Sequence, residues 1–185
     1  MTIDTVRDRI PDYARDIRLN LGSVLTTQGA PGLNDAQIWM TALASAIAAR
    51  NATTVTAIES AAAQKLDAVQ LDAARTAAAL MGMNNVYYRF THLVEDAEYE
   101  KLPARLRMNA MANPGIDRLD FELVSLAVSA INGCGRCVVA HERQLREHGV
   151  SREAVQSAVR IAAVIHAAAG VLDYEEGRGA VAAAA

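Results

Sequence analysis

The chain has 185 residues, a formal net charge of −3 at pH 7 and a sequence pI near 5.8. This length suits one compact domain, and the lack of a basic excess argues against a nucleic-acid partner. No uninterrupted apolar run approaches the ~20 residues that a bilayer-spanning helix needs, so we expect a cytoplasmic protein with no membrane partner.

Apolar residues recur at helical spacing along almost the whole chain, and strand-like alternation is absent. This pattern predicts an all-α fold. Short segments open at Asp4 and at residues 11–12. Two longer helices are predicted over 34–47 and 67–88, each beginning at a residue whose side chain suits an N-cap.

The helical pattern is then interrupted by Pro103 and by the Asn-Pro-Gly sequence at 113–115. Proline lacks the backbone N–H that a helix interior needs, so both places predict a break. Three helices are expected after them, over 118–132, 134–148 and from 152 onward, with N-caps at Asp117 and Ser151 and a break at Gly133.

A gapless offset of 84 residues aligns Leu43-Ala-Ser-Ala-Ile47 with Ala127-Val-Ser-Ala-Ile131. We interpret it as a duplication, in which one domain over 1–185 contains two pseudo-repeats, about 34–100 and about 117–175. The alternative is a chance alignment of two alanine-rich helical segments. At this offset the first repeat has Ile38, Arg50, Thr53 and Ala57 where the second has Glu122, Cys134, Cys137 and His141, so only the second could be chemically competent.

Both cysteines of the chain lie in Cys134-Gly-Arg-Cys137, with His141 four residues further on. A pair this close is a poor structural staple because it closes a very small loop, so reduction, metal binding or catalysis explains it better. If Cys134 lies in the first turn of a helix, Cys137 and His141 follow on the same face. The positive end of that helix would favour a thiolate, and His141 could accept the proton of Cys137.

Glu122 lies 11 residues before Gly133, and His141 lies 8 residues after it. If the two helices fold back as a hairpin, the carboxylate reaches the level of the imidazole, and Glu122, His141 and Cys137 can form a proton relay. If Gly133 only kinks the chain, Glu122 is a solvated side chain on an outer face. A third interpretation makes these residues, with Cys134, zinc ligands, although structural zinc usually takes ligands from two separate knuckles.

The remaining histidines and several methionines have simpler interpretations. Isolated histidines without a partner pattern are expected on the surface or in the core, and this applies to His92, His148 and His166. Methionine fills irregular gaps in cores and between subunits, the role we predict for Met81, Met83, Met108 and Met111.

Three stretches of the chain resemble the alkyl hydroperoxidase D (AhpD) family: FELVSLAVSAINGCGRCVVAHE (121–142), RMNAMANPGI (107–116) and MGMNNVYYR (81–89). The resemblance spans essentially the whole chain, and its EX11CX2CX3H signature is far more specific than CxxC alone. It implies a duplicated all-helical fold of the AhpD/carboxymuconolactone decarboxylase-like superfamily, assembled as a homotrimer.

The same resemblance implies a thiol-dependent alkyl hydroperoxide reductase that serves in antioxidant defence. Electrons would come from dihydrolipoyl groups on a 2-oxoacid dehydrogenase acyltransferase with its lipoamide dehydrogenase, and would pass to peroxides or to an AhpC-type peroxiredoxin. No tightly bound cofactor or metal is expected. By the resemblance, Cys134 and Cys137 form the redox disulfide, and Glu122 and His141 form the proton relay.

Two arguments bear on which cysteine reacts with the peroxide. The helix-terminus argument favours Cys134 as the thiolate, whereas the histidine spacing, with the resemblance, favours Cys137, which we predict to form the sulfenic acid. Some relatives place a histidine just before the second cysteine, where this chain has Arg136, whose charge could favour a thiolate.

Two other classes of function stay open. A carboxymuconolactone decarboxylase-like enzyme would share the helical fold but would not depend on a cysteine pair. A zinc-bearing helical interaction module would use Cys134, Cys137 and His141 as ligands and would carry no catalysis.

Overall fold

The computed structural model of the chain describes residues 1–184, and the side chains of residues 1–180. Every regular element in this range is helical, which confirms the predicted all-α fold. A 3-10 turn at Asp12–Ala14 accompanies ten helices: α1 (Ile3–Asp8), α2 (Arg15–Val24), α3 (Asp35–Ala49), α4 (Ala52–Ala62), α5 (Ala68–Leu93), α6 (Glu98–Lys101), α7 (Asn109–Ala112), α8 (Arg118–Ile131), α9 (Gly135–Glu147) and α10 (Arg152–Ala184).

Local capping explains why most predicted starts are correct. Asn34 and Gln37 form a reciprocal capping box at the start of α3, with both hydrogen bonds at 2.9 Å. Such a box satisfies two backbone N–H groups that the first turn leaves unpaired. Asp117 caps α8, and the Ser151 hydroxyl accepts the Ala154 N–H at the start of α10.

Several predicted boundaries are wrong, including the end of α3, which lies at Ala49 and not at Ile47. The first helix begins at Ile3 with Thr2 as its N-cap, so Asp4 lies inside the first turn instead of opening it. Helix α5 continues five residues beyond Tyr88, to Leu93. No glycine or proline occurs between Tyr88 and Leu102, so nothing local ends the helix earlier.

The core is built around α3 and α8, which pack on each other and on both α5 and α10. Their buried faces carry large apolar side chains such as Ile38, Leu43, Phe121 and Leu126 among many alanines. Alanine has a small side chain, so the helix backbones can approach closely while the larger residues fill the gaps. Helix α9 packs mainly on α8 and also on α5, which places the cysteine segment beside the core.

The order of helix lengths recurs along the chain. Helices α3, α4 and α5 begin at Asp35, Ala52 and Ala68, and α8, α9 and α10 begin 83, 83 and 84 residues later, at Arg118, Gly135 and Arg152. This spacing agrees with the offset of 84 seen in the sequence. The division into two pseudo-repeats stays a prediction.

Helix α10 is the one helix of the described chain whose length and composition would allow it to cross a membrane, over Arg152–Ala180. It packs against α2, α3 and α8, and it buries Ile161, Ile165 and Leu172 in the core. Core helices meet the same criteria of length and composition, so this helix is weak support for a membrane location.

The surface stretch 92–120, from the last residues of α5 to the first residues of α8, differs from the rest of the chain. None of the residues from 92 to 120 is buried, and the two helices within it, α6 and α7, have four residues each. Met111, Ile116 and Leu119 are partly buried and pack against the core. This stretch therefore lies on the surface of the helical core and has few apolar contacts with it.

Candidate active site

Gly133 reverses the chain between α8 and α9. Asn132 ends α8, and Gly133 adopts a left-handed conformation with φ of +67°, which glycine adopts at little cost. The Cys134 N–H then donates to the Ser129 carbonyl at 3.2 Å, which closes the turn. Helices α8 and α9 pack against each other, so the hairpin on which the relay depends is present.

The hairpin brings Glu122 and His141 together. His141 Nδ1 lies 2.6 Å from Glu122 Oε2, and the two residues are only 8% and 7% exposed. The interpretation of Glu122 as a solvated outer residue is therefore wrong. A buried carboxylate needs a hydrogen-bonding partner, and the imidazole supplies it. Because Nδ1 faces the carboxylate, the other ring nitrogen, Nε2, is free of this contact.

Cys134 and Cys137 are joined as a disulfide. Cys134 is the N-cap of α9, one residue before the helix, and its Sγ accepts the Cys137 N–H at 3.3 Å. The expectation that Cys134 lies in the first turn is thus off by one residue, and Cys137 occupies that turn. Both sulfurs lie at the positive end of the helix, so the dipole argument does not distinguish them. Cys134 is fully buried, whereas Cys137 is 7% exposed.

Cys137 and His141 open onto a cavity of about 230 Å³. Its other walls include Met81, Met108, Met111 and Tyr88. The lining is mainly apolar, as expected of a site for a small organic molecule. A thiol formed at Cys137 would face this space.

The cavity adds neighbours of Cys137 that the sequence did not single out as site residues. Met108 and Met111 line the cavity beside Cys137, and Met111 also packs against the core, while Met81 lines the cavity and is buried in the core. Met81, Asn84 and Tyr88 follow each other at i, i+3 and i+7 on α5, so they share one face. The helical spacing of these three residues can be read from the sequence MGMNNVYYR. It does not show which residues lie opposite them across the cavity.

Arg136 extends from between the two cysteines toward the surface stretch. Its guanidinium forms an ion pair with Glu100 of α6 and lies 5.9 Å from the centre of the Tyr88 ring. It also lines the cavity. Because Glu100 balances its charge, Arg136 stabilises a nearby thiolate less than an unpaired arginine would.

The other candidate residues lie apart from this site. His92, His148 and His166 are all exposed, which confirms their interpretation as isolated histidines. At the corresponding positions of the first repeat, Ile38 and Ala57 are fully buried, and Thr53 donates to Glu176 at 2.6 Å. Among the residues with described side chains, no cluster of three or more His, Cys, Asp or Glu could hold a metal ion.

Known proteins are similar to this chain over its whole length. Residues 97–174 match the model of the Carboxymuconolactone decarboxylase family. Alkyl hydroperoxide reductase AhpD of Rhodospirillum centenum is 58% identical over 175 residues, which cover 95% of this chain and 92% of that protein. The protein of the same name from Frankia alni is 56% identical over the full length of both chains. The chain belongs to the AhpD family.

Another AhpD, from Hyphomonas neptunium, is 54% identical over 95% of this chain and 96% of its own length. The family resemblance inferred from the three quoted stretches is therefore confirmed. The family-model match runs from α6 through most of α10, so it includes the hairpin with Glu122, both cysteines and His141.

Proposed function

We propose that this AhpD-family protein is a thiol-dependent alkyl hydroperoxide reductase whose redox pair is Cys134 and Cys137. Its close relatives carry that name. The observation on which the proposal depends is the buried Glu122–His141 pair beside a cysteine pair of which Cys137 faces an apolar cavity. A proton acceptor, a sulfur nucleophile and space for an organic molecule meet at one place.

The first step consumes the peroxide. In the reduced enzyme, His141 takes the proton of the Cys137 thiol, and Glu122 stabilises the resulting imidazolium. The thiolate attacks the outer oxygen of ROOH, so the O–O bond breaks and Cys137 becomes a sulfenic acid. The departing alkoxide takes the proton from His141 and leaves as ROH.

The second step forms the disulfide. The Cys134 sulfur attacks Cys137 Sγ, the S–O bond breaks, and the hydroxyl leaves as water with the Cys134 proton. A dihydrolipoyl dithiol then reduces the disulfide by two exchange steps and becomes a cyclic disulfide itself. The balance is one peroxide and one dithiol consumed, and one alcohol, one water and one lipoyl disulfide formed.

The partners are proposed from the family resemblance. We infer that lipoyl groups on a 2-oxoacid dehydrogenase acyltransferase donate the electrons, that lipoamide dehydrogenase regenerates them, and that an AhpC-type peroxiredoxin is a second acceptor. No tightly bound cofactor is needed for this sequence of steps. We further propose a homotrimer that acts in the cytoplasm, where lipoyl-bearing acyltransferases would be available to it.

A coupled assay tests the proposal. Lipoyl domain, lipoamide dehydrogenase and NADH are supplied, an organic hydroperoxide is the acceptor, and NADH oxidation is followed. We expect turnover by the wild type and its loss in Cys134→Ser and Cys137→Ser. Full activity in either cysteine variant would refute the redox role of the pair.

A second candidate is a carboxymuconolactone decarboxylase-like activity, which the family-model match over 97–174 favours. This chemistry would not need the sulfur pair. Turnover of a muconolactone by the double variant Cys134→Ser/Cys137→Ser would support this candidate against the peroxidase.

A further inference from the structure

The cavity beside Cys137 has walls of two kinds. One wall consists of side chains from the long helix α5 and from α9, both of which pack on the core. The other consists of Met108 and Met111, here called the methionine wall, which belong to the surface stretch 92–120. No residue of that stretch is buried within the chain, so few contacts of the chain itself hold it in place. The position of the methionine wall therefore depends on a small number of contacts.

Several of these contacts join the stretch to the active-site helices. Glu100 pairs with Arg136 of α9, and the rings of Tyr99 and Phe90 meet edge to face with centres 5.2 Å apart. Met108 Sδ lies 4.0 Å from the Tyr88 hydroxyl. Of these contacts, the ion pair is the one between full charges, and it starts from the residue next to Cys137.

The backbone around Glu100 is in a conformation that needs support. Glu95 and Arg105 have φ of 54° and 53°, in the left-handed region that residues other than glycine rarely adopt. One lies five residues before Glu100 and the other five after it. Such strained positions persist when surrounding contacts hold them, so the segment would relax if its contacts were lost.

We propose that the Arg136–Glu100 ion pair determines which substrates are held at Cys137, because it fixes the methionine wall over the cavity. Bulky apolar hydroperoxides gain contacts with Met108 and Met111, whereas hydrogen peroxide is too small to reach across the space. The substrate part of this inference rests on the proposed peroxidase function. The control of access to Cys137 rests on the geometry alone.

Access is measured in a Cys134→Ser background, where Cys137 is the only thiol. The rate of its alkylation by N-pyrenylmaleimide is divided by the rate with N-ethylmaleimide, so any change in thiol reactivity cancels. Glu100→Gln should raise this ratio by up to about fivefold, which is the most that an exposed ion pair contributes, because the pyrenyl group is too large for the closed cavity and reaches Cys137 only when the methionine wall moves aside. The matched control is Glu98→Gln, which removes one charge from the same short helix and leaves the Arg136 contact intact.

The second part of this experiment repeats the alkylation at high salt concentration. At about 1 M ionic strength the screening length falls to roughly 3 Å, so an exposed ion pair is weakened. In high salt, the alkylation ratio of Cys134→Ser should rise toward that of Cys134→Ser/Glu100→Gln. The ratio of the double variant should not change with salt. Equal ratios for Glu100→Gln and Glu98→Gln would overturn the proposal.

Kinetics of the intact enzyme separate substrate holding from chemistry. Glu100→Gln should raise KM for cumene hydroperoxide about three- to fivefold with kcat unchanged, and should leave the kinetics with hydrogen peroxide as they are. A fall in kcat with both peroxides would contradict a role in substrate selection. If the wild type reduced no peroxide, the proposed function would fail, and the alkylation ratio would still decide whether the ion pair controls access.

Discussion

Cys134 and Cys137 have different surroundings although they are three residues apart. Cys134 is the fully buried N-cap of α9, and Cys137 faces the cavity one turn later, on the same helix as His141. Since both lie at the helix N-terminus, access and the nearby base decide between them. These two factors favour Cys137 as the sulfur that meets the peroxide.

Trapping of the sulfenic acid tests this assignment. We expect Cys134→Ser to accumulate a sulfenic acid on Cys137 when it is treated with one equivalent of peroxide, because the resolving sulfur is missing. Dimedone labelling followed by mass spectrometry should find close to one label per chain. Cys137→Ser should bind little label, and strong labelling of Cys134 in that variant would reverse the assignment.

The Glu122–His141 contact predicts a defined kinetic effect. Glu122→Gln keeps the shape of the side chain but loses the charge that would stabilise an imidazolium, so kcat should fall about 10- to 100-fold. His141→Phe removes the base itself and should cost at least as much. Peroxide turnover in the coupled assay is the measurement.

Glu142→Gln is the matched control for this effect, since Glu142 is the next residue after His141 and faces Arg146 at 4.0 Å instead of the site. Its activity should stay within twofold of the wild type. Unchanged activity in both Glu122→Gln and His141→Phe would remove the relay from the mechanism and leave the cysteine pair.

At the level of the helices, the sequence predicted what local signals encode. The start of α3 is set by Asn34 and Gln37, three residues apart, and such signals need no knowledge of the fold. The proton relay was predicted only for the case that α8 and α9 form a hairpin, because a glycine such as Gly133 can either kink or reverse a chain. The partner of Arg136 could not be predicted, since Glu100 lies 36 residues away in a stretch without hydrophobic periodicity.

Glu176 shows another long-range contact that periodicity does not reveal, and it leads to a prediction about stability. Its carboxylate accepts hydrogen bonds from Thr53 at 2.6 Å and Asn51 at 3.1 Å in the α4 region, and it pairs with Arg9 at 2.8 Å. The Thr53 hydrogen bond is the largest of the causes that lower the pKa of Glu176 below its ordinary value of 4.5. The ionised form is therefore favoured in the folded state.

A lowered pKa means that this stabilisation is present above about pH 4.5 and is lost as the pH falls through the folded-state value. Glu176→Gln should lower the free energy of unfolding by about 1 kcal/mol at pH 7, since the carboxylate is partly exposed. The difference from the wild type should shrink as the pH is lowered below 4.5. Urea unfolding at pH 7 and at low pH measures it, and a difference that grew with acidity would contradict the assignment.

At the scale of the whole molecule, one side of the site lies on helices packed against the core, and the other side lies on the surface stretch 92–120. Helices α8 and α9 carry the Glu122–His141 pair and the two cysteines against a core that includes Phe121, Leu126 and Leu145. The stretch 92–120 contributes the methionine wall without burying a residue. The groups to which we assign the chemistry thus lie on the packed helices, and the part proposed to contact the substrate lies on the surface stretch.

This arrangement predicts that the fold survives reduction of the disulfide. Cys134 and Cys137 close a loop of only a few residues, so the bond restricts the unfolded chain little and contributes about 2 kcal/mol at most. For a chain of this size, that corresponds to a fall in Tm of up to roughly 8 °C.

Far-ultraviolet circular dichroism at 25 °C should be the same with and without dithiothreitol, because the packing of α8 on α9 and the core holds the site. The double variant Cys134→Ser/Cys137→Ser should show no response to the reductant. Loss of helical signal in the reduced wild type would mean that the disulfide holds the fold together, and a catalytic cycle through the dithiol form would then be untenable.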